Sequence, residues 1–224
     1  MIILAVDTTM PAGSVALLGD GALLAELNAE SGLTHSERLL ASVEAVLASQ
    51  KIALSEVDGF AVAAGPGSFT GIRIGLSTVK SFCFASGKPG VAVSTLEALA
   101  LKLVPCGGRL LCPMLDAKKG EVYAALFESR AGRIVESIPQ GAYRPQEFPA
   151  RLPARRVVHF IGNGAALYKE AITAGLKNRA VFVSRSPYIG FEVGRIGFEA
   201  LKAGKGLAGA ELRPVYFRKS QAEE

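Results

Sequence analysis

Several residue groups in this 224-residue chain have types and spacing that chemistry could use. Asp7, Thr8 and Thr9 follow the apolar run 2–6. A carboxylate beside two hydroxyls suits a magnesium ion and phosphate oxygens, and it equally suits a turn closed by side-chain hydrogen bonds to its own backbone. The segment AAGPGSFTGIRIG, residues 63–75, turns through Gly65-Pro66-Gly67 and enters a helix at Ser68. Exposed N–H groups behind a glycine turn can cradle an anion. The alternative is a tight strand-to-helix turn with Ser68 as the cap. A Walker A loop is excluded, because no Gly-Lys-Ser/Thr follows at the required spacing. Within the same helix Gly71 and Gly75 share a face, and each glycine costs a helix about 1 kcal/mol relative to alanine. Such a pair calls for a close neighbour, either an element of the same fold or a second chain.

What is missing narrows the chemistry further. His35 and His159 are the only histidines, and no HxxxH or HExxH pair exists to build a metal site on a helix. His35, at a helix start, reads as a capping or interface residue. Cys83, Cys106 and Cys112 form no CxxC, which argues against a disulfide framework and a cysteine zinc site and points to a reducing, cytoplasmic setting. No GxSxG elbow is present, so nucleophilic catalysis has no visible signature.

The elements that must hold these residues follow from periodicity. In the first half, strands are predicted at 2–6, 14–18 and 22–27, with a hairpin turn at Gly19-Asp20-Gly21. Thr34 and Glu37 form a capping box, and Leu39, Leu40, Val43, Val46 and Leu47 mark an amphipathic helix over 36–50. A strand at 59–64, a helix at 69–85, a strand at 91–94 and a helix at 96–104 complete a βββαβα order. Pro105, Gly107 and Gly108 interrupt the pattern, and the second half begins it again. Strands are predicted there at 110–115, 121–128, 134–140, 157–161 and 180–183. Helical segments are predicted at 145–152, 165–174 and 189–203. The fold class is therefore α/β with two lobes, 1–105 and 106–224.

Composition sets the boundaries of function. Half the residues are hydrophobic and 20% are charged, which excludes a disordered chain. The N-terminus lacks a cationic stretch and meets Asp7 after six apolar residues, so a signal peptide is not expected. No apolar run is long enough to span a bilayer. Residues 1–108 hold 6 basic and 9 acidic side chains, and residues 109–224 hold 19 and 11, so the second half carries the positive charge. Such a field attracts RNA or an acidic protein, although most of these charges are dispersed apart from Arg155-Arg156 and the 213–219 tail.

The combination of ILAVDTT at the start, THSERLL at 34–40, AAGPGSFTGIRIG at 63–75, LDAKKGEVYAALF at 115–127 and PVYFRKSQAE near the end closely resembles the TsaB (YeaZ) family. The resemblance covers most of the chain. It implies an actin-like ATPase (RNase H-like) fold, shared with sugar kinases and the heat-shock ATPases. It also implies a cytoplasmic, non-catalytic subunit of the machinery that makes threonylcarbamoyladenosine next to the anticodon in tRNA. The family partner is TsaD, a sister transferase that binds a metal through an HxxxH pair. TsaE, a small ATPase, binds the pair, and isolated members pair with themselves.

The resemblance places the pairing surface on helices 36–50 and 69–85. Interface candidates there are His35, Leu39, Val43, Gly71, Ile72, Gly75, Leu76 and Val79. Asp7, Thr8, Thr9, Gly65, Gly67 and Ser68 are the candidates for a nucleotide or anion. No intrinsic cofactor or metal is expected, with ATP or ADP at the complex interface left open. ATP-using members of the superfamily carry an Asp-Gly-Gly-Thr-like turn where this chain has Asp116-Ala117-Lys118-Lys119-Gly120. Gly162-Asn163-Gly164 is weakly similar to the superfamily's adenosine-binding turn. Two rival readings stay open: a stand-alone ATP-dependent transferase or phosphotransferase, and a tRNA-binding module using Arg213, Arg218 and Lys219.

Overall fold

The computed structural model describes residues 1–29, 35–106, 109–130 and 133–217. In the first unit the run at the N-terminus forms β1 (Ile2–Asp7). Ile3 to Val6 are fully buried, which explains why this strand is apolar throughout instead of alternating. It pairs antiparallel with β2 (Gly13–Gly19), which pairs in turn with β3 (Ala22–Ala29). Asp20 and Gly21 both take positive φ (49° and 80°), the requirement of a two-residue turn whose twist suits a hairpin. On the other side β1 runs parallel to β4 (Gly59–Ala63), and β4 to β5 (Gly90–Val93). The order is β3-β2-β1-β4-β5.

Alternation along these strands decides which helix covers which face. Leu4, Val6, Phe60 and Val62 share a core with α1 (His35–Ser49) and α2 (Phe69–Ser86). Ala5 and Ala61 point the other way, toward α6 (Gly190–Lys202), where a side chain at Gly194 or Gly197 would press into Leu18, Ala5 and Ala61. The first turn of α6 is capped from the sheet: Ser14 Oγ accepts from Gly190 N at 2.8 Å, and Glu26 Oε1 accepts from Phe191 N at 3.2 Å.

The second unit repeats the plan. β6 (Leu110–Lys118), β7 (Glu121–Arg130) and β8 (Arg133–Tyr143) form an antiparallel meander. β9 (Val158–Ile161) and β10 (Ala180–Phe182) add in parallel, giving β10-β9-β6-β7-β8. The helix expected over 165–174 divides at Tyr168 into α4 (Asn163–Leu167) and α5 (Lys169–Leu176). The helical segment expected over 145–152 is only a 3₁₀ turn, Phe148–Arg151, carrying Pro149.

The expected boundary at 105/106 is corrected by the contacts. Met1–Thr95 and Tyr188–Tyr216 form one unit, while Leu96–Pro187 and Phe217 belong to the other. The reason lies in the last helix: Gly190, Gly194 and Gly197 fit α6 against the first sheet, so it does not serve the unit that precedes it in sequence. Conversely, α3 (Thr95–Leu103) leaves the first unit after Thr95. The proposed capping residue Thr34 and the Glu37 side chain lie outside the described residues.

Candidate functional site

At the end of β1, Asp7, Thr8 and Thr9 are 0%, 2% and 1% exposed. Asp7 Oδ1 accepts from Thr9 N (2.9 Å) and Thr9 Oγ1 (2.6 Å), and Thr8 Oγ1 donates to Gly71 O across the interior at 2.7 Å. Thr95 Oγ1 completes the chain by donating to Thr9 Oγ1 at 3.3 Å. Asp7 Oδ2 is buried with no partner among the described residues. Burial pushes the Asp7 carboxyl up to about 6 from 3.8, against the pull of the two Thr9 bonds.

The glycine-rich segment fits this junction closely. Gly65 has φ +113°, a backbone region that disfavours other residues. A Cβ at Gly67 would lie 2.4 Å from Thr9 O, one at Gly71 would lie 1.9 Å from Thr8 O, and one at Gly75 would lie 2.5 Å from Thr8 Oγ1. The missing side chains therefore let α2 lie directly on Thr8 and Thr9. Ser68 caps α2, its Oγ accepting from Gly71 N at 3.2 Å, while Ser68 N donates to Thr9 O at 2.7 Å. Two amide donors at this helix start are thus bonded within the protein.

This geometry corrects the interface candidates. Leu39 and Val43 are 5% and 4% exposed, Ile72, Leu76 and Val79 are 1%, 4% and 0%, and Gly71 and Gly75 are buried against Thr8. All seven are covered in the interior of the first unit, away from the solvent faces of the two helices. The glycine pair is explained by an element of the same fold. His35 opens α1, and its side chain lies outside the described residues. The faces that α1 and α2 turn to solvent are different: Leu40, Ala41, Glu44, Ala45 and Ala48 on one, and Arg73, Ser77, Ser81 and Phe84 on the other. Leu40 is 59% exposed and Phe84 is 92% exposed. One signal for them was available, since positions 40 and 84 fall off the 39/43/46 and 72/76/79/83 stripes that mark the buried faces.

In the second unit the turn after β6 is also committed to internal bonds. Lys118 and Lys119 take φ of 62° and 52°. Asp116 Oδ1 accepts from Lys118 N at 2.9 Å, Asn163 Oδ1 accepts from Asp116 N at 3.0 Å, and the Lys118 ammonium pairs with Asp116 at 2.8 Å. A Cβ at Gly164 would lie 2.6 Å from Leu115 C, so this glycine serves close packing. The amides of Ser68 and Gly71 in the first unit, and of Asp116 and Lys118 in the second, are thus each engaged by a partner within their own unit. Arg213, of the basic tail, donates to the carbonyls of Ala210 and Leu212, while Arg218 and Lys219 lie outside the described residues. Among the described residues no group of three His, Cys, Asp or Glu stands together, and no helix is long and apolar enough to cross a membrane.

Two α/β units with the same sheet order, β3-β2-β1-β4-β5 and β8-β7-β6-β9-β10, give the actin-like ATPase type of fold. A ROK hexokinase from Thermus thermophilus shares the fold at TM-score 0.55 and 10% identity, over 91% of this chain and all of that one. The family model for TsaD, tRNA N6-adenosine threonylcarbamoyltransferase, matches residues 29–187. A Haemophilus influenzae protein named tRNA threonylcarbamoyladenosine biosynthesis protein TsaB is 34% identical over 97% of this chain and 94% of its own. The solved YeaZ from Pseudomonas aeruginosa is 31% identical, with TM-score 0.83, covering 96% of this chain and 99% of that one. The chain belongs to the TsaB (YeaZ) family of tRNA threonylcarbamoyladenosine biosynthesis proteins.

Proposed function

We propose that this chain is a non-catalytic subunit that pairs with a TsaD-type transferase during threonylcarbamoyl transfer to the adenosine next to the anticodon of tRNA. Family membership supports the pathway. The observation that carries the subunit role is the pair of solvent faces on α1 and α2, where alanines and serines flank the exposed Leu40 and Phe84. Small residues let another helix approach closely, and large apolar side chains at the margin supply burial when covered. The buried state of Asp7, Thr8 and Thr9 supports the non-catalytic part of the reading. Any ATP or ADP is then held mainly by partner groups at the complex interface, with a TsaE-type ATPase joining the pair.

The same solvent faces serve self-pairing when the sister is absent, so homodimer and heterodimer compete. The test is pairing of purified chain and sister transferase by sedimentation, with Leu40→Glu and Phe84→Glu variants that remain folded. Loss of pairing is expected. Unchanged pairing in both variants would remove the interface from these faces. The rival enzyme reading requires nucleotide turnover by the chain alone, which this proposal expects to be absent.

A further inference from the structure

The second sheet gathers arginines at one end. Arg133 opens β8 and is the Cα partner of Arg130 at the end of β7. Arg109 immediately precedes β6, its carbonyl accepting from Ser129 N at 2.9 Å. Arg155 and Arg156 lie just before β9, which pairs with β6. Four neighbouring strands in the order β8-β7-β6-β9 therefore each bring an arginine to the same end. At about 4.8 Å per strand the row is about 15 Å wide.

One carboxylate organises it. Glu128 Oε2 accepts from Arg130 Nε at 3.0 Å and Nη2 at 2.6 Å, while Oε1 accepts from Arg156 Nη2 at 2.8 Å. The two guanidinium side chains remain 69% and 44% exposed while Glu128 lies beneath at 18%. Arg109, Arg133 and Arg155 are exposed and make no side-chain hydrogen bond or ion pair among the described residues. Arg155 sits at φ 64°, a conformation that arginine adopts at a cost. Five arginines thus stand at this end of the sheet, and the one acid bonded to them, Glu128, is shared by two.

We infer that this arginine row is a binding surface for the phosphate backbone of RNA. Charge alone would also suit an acidic protein. Each of the four strands brings an arginine, two of the five are held in place by Glu128, and a planar guanidinium engages phosphate, as it does carboxylate, through paired hydrogen bonds. A linear row matches a linear polyanion. The choice of tRNA as the RNA rests on the proposed function; the phosphate chemistry does not.

The test uses the full chain and unmodified tRNA, followed by fluorescence anisotropy over a salt series. The variant Arg109→Glu/Arg133→Glu/Arg155→Glu removes the three arginines without internal partners, so thermal stability should hold. Each phosphate contact contributes about 0.7–0.9 to the slope of log affinity against log salt. The triple variant should therefore lose about 2–3 from that slope and at least about tenfold in affinity, while the triple lysine variant keeps most of both. Equal binding and an unchanged slope would overturn the inference, as would absence of salt-dependent tRNA binding by the unaltered chain. Loss of a protein partner with tRNA binding intact would also overturn it and assign the row to an acidic protein. If tRNA modification proved independent of this chain, the proposed function would fall, while the binding measurement would still decide the arginine row.

Discussion

Gly71→Ala separates an internal glycine seam from an open partner notch. The added Cβ would stand 1.9 Å from Thr8 O, about 1.5 Å short of the 3.4 Å of an ordinary contact. Nothing flexible can yield there, because the opposing atom is backbone of a fully buried strand end. Helix α2 must shift, which costs about 1–3 kcal/mol in overpacking. The buried bond from Thr8 Oγ1 to Gly71 O is lost with it, at about 1–3 kcal/mol. Better helix propensity returns about 1 kcal/mol. The net expectation is a loss of about 1–5 kcal/mol, read by urea unfolding followed by circular dichroism, with exposed Ser77→Ala as a control within about 0.5 kcal/mol. A Gly71→Ala chain as stable as the original or more so, yet deficient in pairing, would show that this face is open and refute the packing argument.

Other perturbations follow from the same geometry. Asp7 prefers its neutral form in the fold, so its stabilising contribution is fully present below 3.8 and is lost as pH rises through about 6. Asp7→Asn should therefore gain on the original chain by about 2 kcal/mol between pH 4 and pH 7; parallel stability curves would contradict the burial argument. Leu40→Glu and Phe84→Glu should each weaken pairing at least tenfold with unfolding midpoints unchanged, as expected for exposed positions. Ser14→Ala leaves the buried Gly190 N–H without its acceptor and should cost about 1–2 kcal/mol of unfolding free energy.

Much of the fold was legible because local signals agreed with global packing. The continuous apolar run 2–6, the Asp20-Gly21 turn and the 3- and 4-residue spacing along 36–50 each had one structural solution. The allocation of helices was not legible, since α6 is matched to the first sheet only through small residues meeting Leu18, Ala5 and Ala61 across a distance the sequence does not encode. Gly71 and Gly75 announced a close approach without saying to what. Leu39, Val43, Ile72, Leu76 and Val79 were read as a ridge to be covered by a partner, and the cover is the unit's own sheet. The alanine- and serine-rich faces gave a weak signal because small neutral residues are common on any solvated helix. The arginine row was hidden by separation, as positions 109, 130, 133 and 155–156 meet only when β6 to β9 pair.

In the proposed role this chain enables a reaction it does not perform. Labelled threonine incorporation into tRNA, measured in a reconstituted mixture of the synthase, the sister transferase, the ATPase and this chain, tests it most directly. Incorporation should require this chain, fail with Leu40→Glu/Phe84→Glu, and be absent when this chain replaces the sister. Full incorporation without the chain, or transfer by the chain in the sister's absence, would contradict the account.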